Sequence, residues 1–373
     1  MAVKINKKHG GKEFKSSFHF VGKVKPFRRY ENGMQVPQPF FDETPTRTGK
    51  PQRRVQFVLE TAKNNELKIE GRAYVQKLAY AYNREEGETV SVNWDDRFDK
   101  DKLPNEGYHF IDTDWDRLEK ISELLEEGAF IEVRGEYEFD SFTNREGQEI
   151  KLVKRMISSA FPVEEGQEIK RNRKTVVENY VTDFESEDFE EVNHSSIQLG
   201  INTVFQEEGE KDVKINGYVL TYGKERSKPS YPELLVPYVE PPAGKVSLSD
   251  AFLQLSKFDF VEVIGKDFNT VTYADVEVTN EDDSSFDPFA QVDGAEKVVE
   301  TKRAVSGTRK GIEILSIVDG SYVSEMLTEE EVKPLEQAVS VNDTSVDQKD
   351  NPFSNVDSNT NVDENPFEDD PFA

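Results

Sequence analysis

One pattern, met twice, constrains the fold of this chain more than any other feature. Leu118, Ile121, Leu124 and Leu125 recur at helical spacing, Gly128 stops the helix, and Phe130-Ile-Glu-Val-Arg-Gly135 follows. The same order returns as Leu248 leading into Phe260-Val-Glu-Val-Ile-Gly265. Two further echoes precede these. Val55-Gln-Phe-Val-Leu-Glu-Thr61 resembles Ile197-Gln-Leu-Gly-Ile-Asn-Thr203, and Leu67-Lys-Ile-Glu-Gly71 resembles Val213-Lys-Ile-Asn-Gly217. Three echoes in one order predict a duplicated domain.

Around the first copy, alternation of apolar and polar residues predicts strands over 18–24, 55–61, 67–75, 89–94, 130–139 and 149–157, with a helix over 115–127. Asn144-Arg-Glu-Gly-Gln148 is the turn of the last hairpin. A short helix between the third and fourth of five strands is the order of the OB-fold, a small Greek-key barrel. The expected fold class is therefore mainly β, with two tandem OB-fold-like Greek-key barrels, each holding a short helix. A disordered acidic C-terminal tail completes it, because the Asp-, Asn- and Ser-rich residues there have too little apolar surface to fold. The expected division is a basic arm over 1–17, a first barrel over 18–165 with a proline-rich loop insertion at 26–53, and an acidic linker over 166–192. A second barrel over 193–320 carries an acidic insertion at 279–308, and the tail covers 321–373.

Charge divides the chain along the same lines. Residues 1–54 hold 13 Lys and Arg against four acids, whereas 321–373 hold two against 14. A basic end fits a polyanion, and an acidic end fits a basic partner or competes for the same groove. The chain has no cysteine and four histidines, none close to another in sequence, which removes thiolate zinc sites, disulfides and helical zinc motifs. The first ten residues lack an apolar run, so no secretory signal is expected, and no stretch is apolar enough for a spanning helix.

The segment 118–162 resembles the C-terminal half of the bacterial and phage-type single-stranded DNA-binding protein family. Glu127-Gly-Ala-Phe-Ile-Glu-Val-Arg-Gly-Glu136 and Ser141-Phe-Thr-Asn-Arg-Glu-Gly-Gln148 follow that family's run of helix, glycine, strand and aromatic-bearing hairpin. Residues 18–24 with Gly22 resemble its first strand, and 89–94 its third. The end, Glu368-Asp-Asp-Pro-Phe-Ala373, is similar to the family's acidic tip, although here Ala373 follows the phenylalanine. The resemblance implies single-stranded DNA as ligand and Asp369, Asp370, Pro371 and Phe372 as the contact for replication or repair proteins.

Such a ligand needs flat rings interleaved with cations. The first copy offers Phe142, Trp94, Tyr74, Tyr80, Tyr82, Phe98 and Tyr137 beside Arg72, Lys77, Arg84, Arg97, Arg145 and Lys154. Phe142, beside the hairpin turn, matches the family position of a stacking ring, and Trp94 stands next in rank with packing an equal alternative. The second copy is poorer, with one small basic–aromatic patch, Lys224-Glu-Arg-Ser-Lys228 with Tyr218, Tyr222 and Tyr231. Asp95-Asp-Arg-Phe-Asp-Lys-Asp101 lacks the glycine and closing glutamate of a calcium loop, and no nucleotide-cradling or nucleophile motif occurs.

These readings lead to a non-enzymatic protein without cofactor or metal that coats single-stranded DNA in replication, recombination or repair. The expected setting is cytoplasmic (the host cytoplasm if the source is viral or a mobile element), with no membrane partner and a monomer or homodimer. Two alternatives stand beside it. One is a scaffold displaying Asn-Pro-Phe and Asp-Pro-Phe peptides (351–353, 365–367, 370–372), and the other is RNA binding on the same fold.

Overall fold

A computed structural model describes residues 3–31, 34–144, 147–223, 225–277 and 301–332. The chain is mainly β, and its two halves have the same topology. In the first half, β1 (Ser16–Lys25), β2 (Pro51–Ala62) and β3 (Asn65–Tyr74) form a meander. A small antiparallel sheet of β4 (Leu78–Asn83), β5 (Glu88–Asn93) and β6 (Tyr108–Phe110) follows, then α1 (Asp114–Ser122), β7 (Phe130–Thr143) and β8 (Glu149–Pro162). The barrel closes because β8 runs parallel to β3 at Met156–Glu70 and β7 pairs with β1. Strand order around the ring is β1-β2-β3-β8-β7, with the helix between the third and fourth strands, as the OB-fold requires.

The second half repeats this after a short hairpin, β9 (Ile169–Arg171) and β10 (Lys174–Val177). Its strands are β11 (Asn193–Gln206), β12 (Val213–Thr221), β13 (Glu233–Val236), β14 (Phe260–Glu277) and β15 (Thr301–Ile317), with α2 (Leu248–Phe252) after β13. Here β13 meets β15 in parallel at Leu235–Glu313, and β14 returns to β11. Both helices begin with the same cap. Thr113 Oγ1 accepts the Asp116 N–H, and Ser247 Oγ accepts the Asp250 N–H. Both closing hairpins carry a bulge at the same place, Gly135 and Gly265. At each the backbone passes so close to the last strand that a Cβ would sit 2.1 Å from the Met156 carbonyl oxygen or 2.5 Å from that of Glu313.

The helix-and-strand echo therefore joins equivalent elements, and the other two echoes do not. Residues 55–61 lie in the second strand of their barrel, whereas 197–203 lie in the first strand of theirs; 67–71 and 213–217 are offset in the same way. Every half-buried barrel strand alternates with period two, so strands of different rank look alike in sequence. The third strand of the first barrel is β3, and 89–94 instead belongs to the outlying sheet. The Arg84–Gly87 turn, tied by Asn83 Oδ1 to the N–H groups of Glu85 and Glu86, closes β4 onto β5 locally.

The two barrels join through their first strands. β1 and β11 run antiparallel with Phe18 opposite Ser195. Gly135 opposes Phe18 and Gly265 opposes Ser195, so these facing residues hold equivalent positions and the halves are related by an approximate twofold. Beneath this junction Asp267 is wholly buried. Its carboxylate accepts from Arg155 Nε and Nη2 at 2.6 and 2.7 Å and from the Tyr137 hydroxyl at 3.1 Å.

Four segments depart from their sequence reading. Residues 166–192 are no loose linker, since Ile169, Val177, Tyr180 and Val192 bury against Val21 in a small core of their own. The arm before β1 forms a hairpin, Lys4–Ile5 with Lys12–Glu13, that docks on the second barrel rather than the first. The Phe14 N–H donates to Leu220 and its ring lies 5.1 Å from that of Phe260. Residues 321–332 also pack there, with Leu327 buried and Lys12 Nζ bonded to Glu331 at 2.8 Å. The insertion at 26–53 is β-structured, with a hairpin (Arg28–Glu31, Met34–Pro37) and a strand (Phe41–Pro45) on β2.

Candidate nucleic-acid interface

The outward side chains of β2 and β3 in the first barrel gather a cluster of cations around a buried carboxylate. Inward Val55, Phe57 and Leu59 fill the core, so period two turns Arg54 and Gln56 outward. On β3, Leu67 and Ile69 point in and Lys68, Glu70, Arg72 and Tyr74 point out. Register places Arg54 opposite Arg72 and Gln56 opposite Glu70. The Glu70 carboxylate thus lies among three cations, 3.2 Å from Lys68 Nζ, 3.2 Å from Arg72 Nη2 and 3.9 Å from Arg54 Nη2. Burial opposes its ionisation, but the charges of Lys68, Arg72 and Arg54 hold it below the usual carboxylate range. Burial lowers the Arg54 pKa, with Arg29 and Arg72 adding to the effect while Glu70 and Asp42 counter it. Asp42 stands opposite Arg54 on the neighbouring strand, so two acids, Glu70 and Asp42, face Arg29, Arg54, Lys68 and Arg72 and the cluster keeps an excess of cations. Tyr74 ends the row, 37% exposed, with Lys50 Nζ 5.2 Å from its ring.

The outlying sheet continues from Tyr74 and adds rings. Ala79, Ala81 and Asn83 are buried on one face, which leaves Tyr80 and Tyr82 on the other, 50% and 40% exposed, with His109 opposite Tyr82. Lys77 before this strand and Arg84 after it are exposed and have no ion pair among the described residues.

The structure thus brings Arg72, Tyr74, Lys77, Tyr80, Tyr82 and Arg84 along one stretch of chain. It sets the other expected residues apart. Trp94 is buried, with the Arg97 guanidinium 4.6 Å from its ring, and Arg97 is itself fixed by Asp116 at 3.0 Å. Phe98 is exposed, its ring 4.7 Å from the same guanidinium. Tyr137 lies in the barrel junction, its hydroxyl 2.6 Å from Ser195 Oγ and bonded to Asp267, so its ring has no face to offer a base. Phe142 is half-buried on β7, and Lys154 is paired with Asp140 at 2.9 Å on the same hairpin. Arg145 and the tail residues Asp369, Asp370, Pro371 and Phe372 lie outside the described residues, as does 278–300 of the acidic insertion.

Arg29, Lys50, Arg54 and Lys68 are the cations that sequence reasoning passed over. The signal was present: residues 52–57 and 66–74 alternate, and the outward half of each alternation is polar, charged or, at Tyr74, aromatic. The equivalent face of the second barrel has no such cluster among the described residues. Lys214 and Asn216 on β12 stand opposite Leu235 and Glu233 on β13, and Lys214 is paired with Glu207. Among the described residues no group of His, Asp and Glu is placed to hold a metal ion, and no helix is long and apolar enough to cross a membrane.

Fold and surface together define a tandem OB-type β protein whose first barrel bears a basic and aromatic face. The chain belongs to the YorF family, whose model matches residues 51–337. No curated protein matches it. Among solved structures it is similar to the wild-type single-stranded DNA binding protein from Thermus aquaticus, at 11% identity and a TM-score of 0.35 over 85% of this chain and 98% of that one. A deletion mutant of the same Thermus aquaticus protein gives 14% identity and a TM-score of 0.32 over 69% of this chain and 88% of that one.

Proposed function

We propose that this protein binds single-stranded DNA, without cofactor or catalysis, and that the β2–β3 face of the first barrel is the principal contact. The observation that carries this reading is the cluster of Arg54, Lys68 and Arg72 around one carboxylate, ending in Tyr74. The strands 2–3 face is where OB-folds take oligonucleotides. A phosphodiester replaces the carboxylate as partner for these cations, and the bases stack on Tyr74, Tyr80 and Tyr82. Stacking and phosphate contacts tolerate any base sequence, which suits coating exposed strands in replication, recombination or repair. The tail residues Asp369 to Phe372 would recruit partner proteins, the phenylalanine ring entering an apolar pocket with a basic rim.

The test is anisotropy of labelled oligo-dT, oligo-rU and duplex with the full chain at two salt concentrations. Tight dT binding that weakens with salt is expected. The double variant Arg54→Ala/Arg72→Ala should bind about 10-fold or more weakly, with a salt slope shallower by ~0.7 for each phosphate no longer neutralised. Equal binding of duplex, or a double variant with wild-type affinity, would remove the proposal. Preference for oligo-rU would favour the RNA reading.

A further inference from the structure

The basic arm precedes the first barrel in sequence but sits on the second, and its construction is unusual for a terminal segment. Asn6 and Glu13 are both buried and bonded to each other. The Asn6 N–H donates to the Gly11 carbonyl and the Gly10 N–H to that of Asn6, both at 2.8 Å. Lys4 pairs with Glu13 at 2.7 Å, and Phe14 anchors the base of the hairpin on Leu220 and Phe260. All of these contacts hold the hairpin without its tip. The tip, residues 7–9, presents Lys7 and Lys8 to solvent and places His9 over the second barrel.

There the tip meets a ring. Tyr222, in the loop after β12, is 54% exposed. Lys8 Nζ donates to its hydroxyl at 2.9 Å, and the His9 ring stands 6.5 Å from the tyrosine ring at 34°. The same loop turns back through Ser227, close against Gly11, to Lys228, which is exposed and opposite Thr221. The Tyr222 bond, and more weakly Tyr80, raise the pKa of Lys8. The Lys8 ammonium thus meets an exposed tyrosine of the second barrel, both at its hydroxyl and 5.6 Å from its ring centre. A contact between exposed groups contributes little to stability, so the fold does not need this arrangement.

We propose that the hairpin tip and Tyr222 form a second nucleotide subsite, at which the arm lends the acidic second barrel its cations so that one single strand crosses from the first barrel to the second. A base stacks on Tyr222, and the adjoining phosphate takes Lys8 in place of the tyrosine hydroxyl, with Lys7 and Lys228 alongside. This inference rests on the single-strand reading above.

The experiment compares the full chain with the variant Lys8→Ala/Tyr222→Ala on labelled oligo-dT of about 10 and about 30 nucleotides, chosen against ~4–16 nucleotides covered per OB barrel. The quantity read is the gain in affinity on lengthening. That gain should be about 5- to 100-fold smaller in the double variant, as expected when one base no longer stacks. Its salt slope on the longer oligonucleotide should be shallower by ~0.7 for each phosphate that has no cation to meet it. Tyr222→Phe keeps the ring and should retain most of the gain. A gain unchanged in the double variant, or an equal weakening on both lengths, overturns the subsite while leaving the first-barrel reading standing. A wild-type chain that binds neither length overturns both.

Discussion

Asp267→Ala provides the sharpest test of how the two barrels are held together. Asp267 is completely covered and Arg155 is 11% exposed, and their bidentate pair is closed on the remaining side by the Tyr137 hydroxyl. Burial works against the Arg155 charge, but Asp267, Tyr137 and Glu70 outweigh it and raise the Arg155 pKa. Removing the carboxylate leaves a guanidinium with no counter-charge in contact and a tyrosine hydroxyl with Ser195 as its remaining partner. Breaking a buried pair on one side costs about 3–5 kcal/mol. Asp267→Asn preserves shape and one acceptor but not the charge, so it should lose most of this. Arg155→Met/Asp267→Leu removes both charges and should return to within about 1 kcal/mol of the parent. Both tryptophans, Trp94 and Trp115, lie in the first half, so urea unfolding followed by indole emission reports that half, and far-ultraviolet dichroism reports both. The two curves should coincide in the parent, with a midpoint lower by of order 1 M urea in Asp267→Ala. A midpoint shift equivalent to less than about 1 kcal/mol, or a double variant as unstable as the single ones, would refute the reasoning.

Two other outcomes follow from the same geometry. Gly135→Ala should cost about 3 kcal/mol or more, because its Cβ would lie 2.1 Å from the Met156 carbonyl oxygen and 2.5 Å from the Phe18 ring; Gly87→Ala, at φ +68° with open space around it, should cost only ~1–2 kcal/mol, and denaturation midpoints of the two variants check the contrast. Burial, then Arg171 and His19, lower the His194 pKa from 6.5, so the folded state takes up its proton later than the unfolded one as pH falls. The His194 contribution is complete above pH 6.5 and is lost as pH falls through the folded-state value. Thermal midpoints over this range should therefore drop more steeply for the parent than for His194→Gln.

Periodicity, glycine placement and charge counts were enough to read the fold class, the duplication and the basic-to-acidic gradient from sequence. These are local properties: alternation reports which face of a strand is buried, and a helix followed by a glycine-ended strand reports one supersecondary unit. Arg72, Tyr74, Tyr80 and Tyr82 could be named as exposed candidates for the same reason. Strand rank could not be read, because a period of two is common to every strand of both barrels. That ambiguity assigned 89–94 to the barrel and paired 55–61 with the wrong counterpart. Trp94 and Tyr137 were also ambiguous, since an aromatic ring in an alternating strand suits a core as well as a ligand, and only the packing of Arg97 and of Asp267 with Ser195 removes them from the surface. The tertiary structure alone decided what depends on contacts distant in sequence. It gathered Arg54, Lys68 and Arg72 around Glu70, buried Asp267 against Arg155 between the halves, and carried the basic arm past the barrel it precedes onto the second barrel. Such placements are set by which strands close a ring and which edges then remain free, and no window of sequence contains both partners.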